Sequence, residues 1–330
     1  MLGQKPLIGI AMLGGLAVMG IAAVTVADTI NIIASRDNTL IEDVNGAWSG
    51  GIMPWVFAGN TNQINAEDTR RGLVRFDLSA IPLGSTINTA SVRLRMTKSV
   101  HAGTYTYTLH KVLADWGEGT SEGAGGSGAP STAGSATWIH RFYPDVFWTT
   151  SGGDFNATAS ASLSVFATLG FYTWSSAQLA ADVQSWLAAP SSNFGWILRG
   201  NETAITSAKR FEARETTLDG DKPTLIVNFT PPAVYGACCF GESCMLAGPA
   251  QCAAMQGIYK GDGTPCLAGT CCAGDIDVSG TVDVNDLLAV ITTWGPCPAP
   301  PQPCPADIVT NGVVDVNDLL QVIANWGPCQ

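Results

Sequence analysis

Seven carboxylates near the C-terminal end carry the clearest chemistry in this chain. Asp275, Asp277, Asp283 and Asp286 fall within one twelve-residue stretch, and Asp307, Asp315 and Asp318 fall in its repeat. From Ala273 to Gln330 there is no other acidic residue and no Lys or Arg. A turn that offers oxygens from positions 1, 3, 5, 7, 9 and 12, with Gly at position 6, is a calcium loop of the EF-hand type. The first stretch offers Asp275, Asp277, Ser279, the carbonyl of Thr281, Asp283 and Asp286, with Gly280 at position 6. The second offers Asp307, Asn311, the carbonyl of Val313, Asp315 and Asp318, with Gly312 at position 6. Its position 3 is Val309, so two calcium sites are expected, the second weaker. Such clusters repel themselves without a cation, so metal binding is expected to contribute to folding.

Each loop must open into a helix. Leu287, Leu288, Ile291 and Trp294 follow helical spacing, as do Leu319, Leu320, Ile323 and Trp326. Gly295 and Gly327, each followed by Pro, are stop signals. The two apolar stripes are expected to pack on each other. No long helix enters either loop. The segment 272–330 resembles a type I dockerin, with two tandem loop–helix repeats and Asp at position 12. That resemblance implies a plug for a cohesin-like or other scaffold protein on a surface. It also implies that Val284, Asn285, Val316 and Asn317, at loop positions 10 and 11, contact the partner. Their identity in both repeats allows either repeat to face it, and their lack of the hydroxyls common there sets the expected partner apart from an ordinary cohesin.

All ten cysteines lie beyond residue 237. An even set in a short segment of a secreted chain reads as disulfides. Cys238, Cys239, Cys244, Cys252, Cys266 and Cys271 are expected to pair among themselves in a module at 233–271, with zinc as the rival reading. Cys272 and Cys304 precede each loop, and Cys297 and Cys329 follow each helix. A helix carries its two ends too far apart for one bridge. Packing about a pseudo-twofold axis gives Cys272–Cys329 and Cys297–Cys304. Cys272–Cys297 is the alternative.

The chain has 330 residues and a formal net charge of −11, which argues against a nucleic-acid partner. Lys5 precedes an uncharged apolar run, and small residues before Asp28 permit cleavage after Ala27. Residues 1–27 read as a secretory signal peptide, which predicts a secreted or surface-attached chain with no membrane contact after cleavage. An uncleaved anchor is the alternative.

Residues 28–232 alternate as strands do: Val74, Phe76 and Leu78; Val92, Leu94 and Met96; Tyr105, Tyr107 and Leu109; Leu225, Val227 and Phe229. One helix is expected over 176–188, ended by Pro190. The Gly/Ser tract between Gly117 and Ala136 is expected to be a long mobile loop, too polar to bury. The fold class is therefore mainly β: an antiparallel jelly-roll β-sandwich, then a small disulfide-rich module, then a small α-helical dockerin-like module. The stretches Arg70–Pro82, Ala90–Arg95, Asp115–Gly119, Gly152–Phe155, Asp182–Leu187 and Lys209–Glu215 resemble, in order, the DNRLRE-domain family. The resemblance implies a jelly roll of carbohydrate-binding-module type, some members binding acidic polysaccharides.

Sugar rings stack on aromatics, and their polar groups take hydrogen bonds from cations. The candidates are Trp48, Trp55, Trp138, Tyr143 and Trp148, read as loop residues, with Arg93 and Arg95 on one strand face and Lys209 elsewhere. Arg210, Glu212, Arg214 and Glu215 read as a salt-bridge network. No catalytic constellation emerges. Glu67, Asp68, Asp77, Asp115 and Glu118 could supply paired carboxylates, and Tyr105 or Tyr107 with Arg93 a lyase base. The leading expectation is a non-catalytic polysaccharide-binding subunit, against a structural or adhesive protein and, third, a polysaccharide-degrading enzyme.

Overall fold

The computed structural model describes residues 26–62, 68–123, 125–240, 243–266, 270–277, 279–299, 302, 304–309 and 311–329. Glu67 and all but the end of the signal segment lie outside the described residues. Backbone contacts divide the chain into two compact units, which meet in sequence between Pro232 and Ala233.

The first unit is mainly β. Its alternating apolar residues face a shared interior, and its strands close into a barrel-like sheet. The long strand Asp28–Ile41 makes closure possible by serving two neighbours. Its first half pairs antiparallel with Thr224–Thr230, and its second half pairs with Thr69–Phe76. Thr224–Thr230 pairs with Thr86–Ser99, then come Lys209–Glu212 and Trp55–Asn60, and Trp55–Asn60 returns to Thr69–Phe76. Gly170–Ser175 adds to the Thr86–Ser99 side. Trp196–Arg199, Tyr105–Lys111 and Ala161–Val165 extend the Thr69–Phe76 side. Phe76, Tyr107, Trp174, Trp186, Trp196 and Phe211 fill the core and are all but fully buried.

Helix α1 (Ala177–Ala188) closes one end of that core. Ser176 caps it, its hydroxyl accepting from the Leu179 amide. Leu179, Val183, Trp186 and Leu187 face inward. Asp182 is buried among them, where Ser160 Oγ and Trp196 Nε1 donate to its carboxylate at 2.5 and 2.9 Å, and Gln178 donates at 3.1 Å. This carboxylate ties the helix to the sheet.

Several expectations need correction. The Gly117–Ala136 tract is packed rather than a polar loop in solvent. Ala129–Pro130 pairs with Trp48–Ser49, and Ser121, Ser135 and Ala136 are buried. The hydroxyls bond locally, Ser121 Oγ to the Pro130 carbonyl and Thr132 to Ser135. Gly117 permits it, because a Cβ there would lie 1.7 Å from the Gly134 oxygen. The salt-bridge network is smaller than expected: Arg214 binds Glu118 at 2.7 Å and lies 3.0 Å from Glu215, whereas Arg210 sits elsewhere. Tyr107 is buried and donates to the Ser207 carbonyl at 2.6 Å. Burial pushes its hydroxyl pKa up, which removes it as a lyase base.

Asp37 joins the Arg214 cluster from below. It accepts from the Arg214 amide through Oδ2, while Oδ1 is buried with no hydrogen bond. Burial, then the charge of Glu215, pushes the Asp37 pKa well up, and burial also raises Glu215.

In the second unit, Gly236–Phe240 pairs with Ser243–Ala247 and Ile258–Tyr259, beside α2 (Pro249–Ala254). Cys238–Cys252, Cys239–Cys271 and Cys244–Cys266 staple this module. Every cysteine is bridged, so no thiolate remains for zinc. Then α3 (Val284–Thr292) and α4 (Val316–Ala324) pack about Val282, Val290, Val314 and Val322.

Two outcomes are expected. Asp182→Ala leaves the indole of Trp196 without its acceptor and costs about 3 kcal/mol, read by denaturant unfolding. Asp37 binds its proton more tightly when folded, so its contribution to stability falls as pH rises above about 4, the unfolded value. The melting temperature of Asp37→Asn relative to the parent should therefore increase with pH above that point; a difference independent of pH refutes this.

Candidate metal centre and ligand face

The two repeats interlock. The end of α4 closes the first loop, and the end of α3 closes the second. Thr281–Val282 pairs with Gly327–Pro328, and Val313–Val314 pairs with Gly295–Pro296. The Cys329 amide donates to the Gly280 carbonyl at 3.0 Å, and the Cys297 amide to the Gly312 carbonyl at 2.9 Å. Cys272–Cys329 and Cys297–Cys304 lock this exchange covalently.

Within the first loop, Gly280 has φ of +85°, the left-handed turn that position 6 requires. Asp275 accepts from Ser279 N at 2.9 Å and Gly280 N at 2.8 Å. Asp286 is fully buried and gathers the amides of Ile276, Asp277 and Asp283 at 2.6, 3.2 and 2.9 Å. Asp283 caps α3 by accepting from the Asn285 amide. Ser279 Oγ donates to the Thr281 carbonyl, which brings positions 5 and 7 together. Oxygens of Asp275, Asp277 and Asp286 all lie within 4.8 Å of one another. One cation with oxygens at 2.3–2.6 Å spans that distance. Three carboxylates this close, two of them buried, form an oxygen donor set suited to a hard divalent cation. The charge is felt as far as Lys260, where burial lowers the ammonium pKa and Asp275 opposes the fall.

The second loop repeats the frame. Asp307 accepts from Asn311 N and Gly312 N, Asp318 accepts from Val309 N and Asp315 N, and Asp315 caps α4. Among the described residues it gathers no such carboxylate triad. The group around Asp307 contains Cys297 and Cys304, which are bridged and offer no thiolate. Val309 projects to solvent where Asp277 stands in the first loop.

The helix stripes differ from expectation. Asp286 and Asp318 point inward to the loop amides, and that fixes the helix phase. Val290 and Val322, one turn on, are then buried, with Leu287 and Leu319 beside them. Val284, Leu288, Ile291 and Trp294, and likewise Val316, Leu320, Ile323 and Trp326, are each 50–54 % exposed. Asn285 and Asn317 are exposed next to them. Each repeat thus presents an apolar helix face.

Of the glycan candidates, the structure brings Trp55, Arg93 and Arg95 together. Arg95 pairs with Phe171 across the strands, and Arg93 pairs with Thr173. On the other side Met96 pairs with Phe211, beside Glu212, which pairs with Trp55. Phe171 and Trp55 therefore bracket the arginines on one outer sheet face, three strands or about 14 Å apart. Arg210 joins them, its guanidinium 4.4 Å over the Trp55 ring and its Nε donating to Thr97. Arg93 lies 4.9 Å over Phe171 and has no hydrogen bond or ion pair among the described residues. Arg95 pairs with Asp221. The sequence reading passes over Phe171 and puts Arg210 in a salt-bridge network, because strand register decides which residues share this face.

The remaining candidates lie elsewhere. Trp48 is exposed and, like Trp55, sits in a strand rather than a loop. Trp138 is half-buried under the Arg71 guanidinium at 4.8 Å. Tyr143 packs edge-on to His140. Two are corrections. Trp148 is buried and donates to the Thr137 carbonyl, so it is core. Lys209 is fully buried; it donates to Ser99 Oγ and the His101 carbonyl, and burial lowers its pKa. Neither can meet a polymer. Glu202, between Arg71 and Arg199, is likewise spoken for: burial pushes its carboxyl up, but the two guanidiniums outweigh this and hold it at about 2.

No protein-family model matches the chain, and no curated protein matches it.

Calorimetric titration of the full chain with calcium should show two unequal sites. Val309→Asp returns the carboxylate at position 3 and should tighten the weaker site by on the order of tenfold. Two equal sites in the parent chain, or an unmoved second site in the variant, would refute the reading of Val309.

Proposed function

We propose that this chain is a secreted, non-catalytic polysaccharide-binding subunit, held on a partner by a calcium-folded, dockerin-like plug. The observation that carries the binding half is the outer sheet face with Arg93, Arg95 and Arg210 between Phe171 and Trp55. Guanidiniums already lie over both rings, although Phe171 stays half exposed. A bare aromatic face would favour stacking of a neutral sugar, whereas guanidiniums held over rings are braced to donate hydrogen bonds outward. Only Arg95 of the three has an ion pair among the described residues. The face therefore suits a polymer bearing carboxylate or sulfate groups. The resemblance to DNRLRE domains, with their jelly-roll sandwich, points the same way.

The attachment half rests on the repeats. Their exposed apolar faces are larger than scattered surface apolar residues need be, and such patches mark interaction sites. The surrounding module is acidic, with no Lys or Arg from Ala273 on, so a partner with an apolar centre and a basic rim fits it. Val284 and Val316 sit within those faces, which agrees with partner contact at loop position 10.

The test is retention of the full chain on immobilised polysaccharides, neutral and acidic. Binding to at least one acidic polymer is expected, weakened on the order of tenfold by added salt. The double variant Arg93→Ala/Arg210→Ala should lose most retention while keeping its melting temperature. Retention on no glycan would favour the structural or adhesive reading. Release of reducing or unsaturated ends would make the chain an enzyme.

A further inference from the structure

Each repeat-related cystine touches the first carboxylate of a calcium loop. Cys329 Sγ lies 3.5 Å from Asp275 Oδ2, and Cys297 Sγ lies 3.5 Å from Asp307 Oδ2. A bridged sulfur has no proton to give, so these are packing contacts. The same two oxygens accept from the position-6 amides, Gly280 N and Gly312 N, each at 2.8 Å. Each carboxylate is thereby held from two sides, by its own loop's glycine and by a cysteine from the end of the other repeat's helix.

We infer that these two cystines are positioning elements of the calcium loops, each setting the position-1 carboxylate of one loop, so that bridge and calcium stabilise each other. This rests on the calcium reading above. A group that orients a ligand from behind contributes to affinity without touching the metal. The contact recurs at the same distance on the same oxygen of the same loop position in both repeats. Sequence separations make the second bridge the sharper probe. Cys297–Cys304 spans 7 residues and Cys272–Cys329 spans 57. The short loop constrains little of the unfolded chain, so its loss should act locally.

Coupling is reciprocal: if the bridge tightens calcium, calcium protects the bridge. Reduction of one cystine by a dithiol breaks its S–S bond, and the two thiols formed take two electrons and two protons from the dithiol, which closes to its own disulfide. Secreted with both bridges formed, the plug would bind calcium well; in a reducing setting it would bind poorly and release its partner.

The experiment uses the full chain labelled with ¹⁵N-glycine and titrated with calcium. The Gly280 and Gly312 amides report the two loops separately. In Cys297→Ala/Cys304→Ala, the Gly312 midpoint is expected to rise by on the order of tenfold, while Gly280 stays within about twofold. Midpoints that move together, or not at all, overturn the inference. A second measurement needs no variant: dithiol cleavage of the parent chain followed by mass spectrometry. Calcium should slow cleavage of Cys297–Cys304 more than that of Cys244–Cys266; equal slowing, or none, overturns the inference. If neither glycine of the parent chain responds to calcium, the metal reading falls as well. A responsive parent with an unmoved variant sinks only the coupling.

Discussion

A buried carboxylate sets the orientation of each major helix in this protein. Such a group is costly unless its oxygens are satisfied, so its hydrogen bonds dictate which way the helix turns. Asp182 does this for α1, drawing Ser160 and the Trp196 indole to one point. Asp286 and Asp318 do it for α3 and α4 by collecting loop amides. In the C-terminal unit much else follows from that choice. The loop closes around the acid, valines one turn later enter the core, and the opposite apolar stripe is left in solvent.

The surplus of apolar residues on α3 and α4 explains why sequence spacing misplaced their core. Leu287, Leu288, Val290, Ile291 and Trp294 are apolar almost all round the helix, so periodicity admits more than one inward face. Only the inward turn of Asp286 chooses. In the sandwich, by contrast, Val92, Leu94 and Met96 alternate with Arg93 and Arg95, and the buried face was legible. So were the helix ending before Pro190 and the five cystines, three within their own cluster and two between repeats. Both rest on local or covalent rules.

What stayed hidden needed tertiary register. Phe171 stands opposite Arg95, and Arg210 opposite Lys98, only because three strands from distant parts of the chain align there. Lys209 and Trp148 looked available because their burial depends on tertiary partners, Ser99, 110 residues away, for one and the Thr137 carbonyl, 11 residues back, for the other. The Gly/Ser tract misled for a related reason. Composition describes how polar it is, but not that its hydroxyls and glycines can satisfy each other in a packed turn.

The crossed closure of the two loops has a consequence for descent. Each loop is sealed by the end of the other repeat's helix, through a strand pair, an amide and a cystine. A single copy of the repeat would hold an unsealed loop and two cysteines without their partners. The unit that can be gained, lost or moved between chains is therefore the pair. The two copies are free to diverge only where neither seals the other, and Val309, out in solvent, stands at such a place.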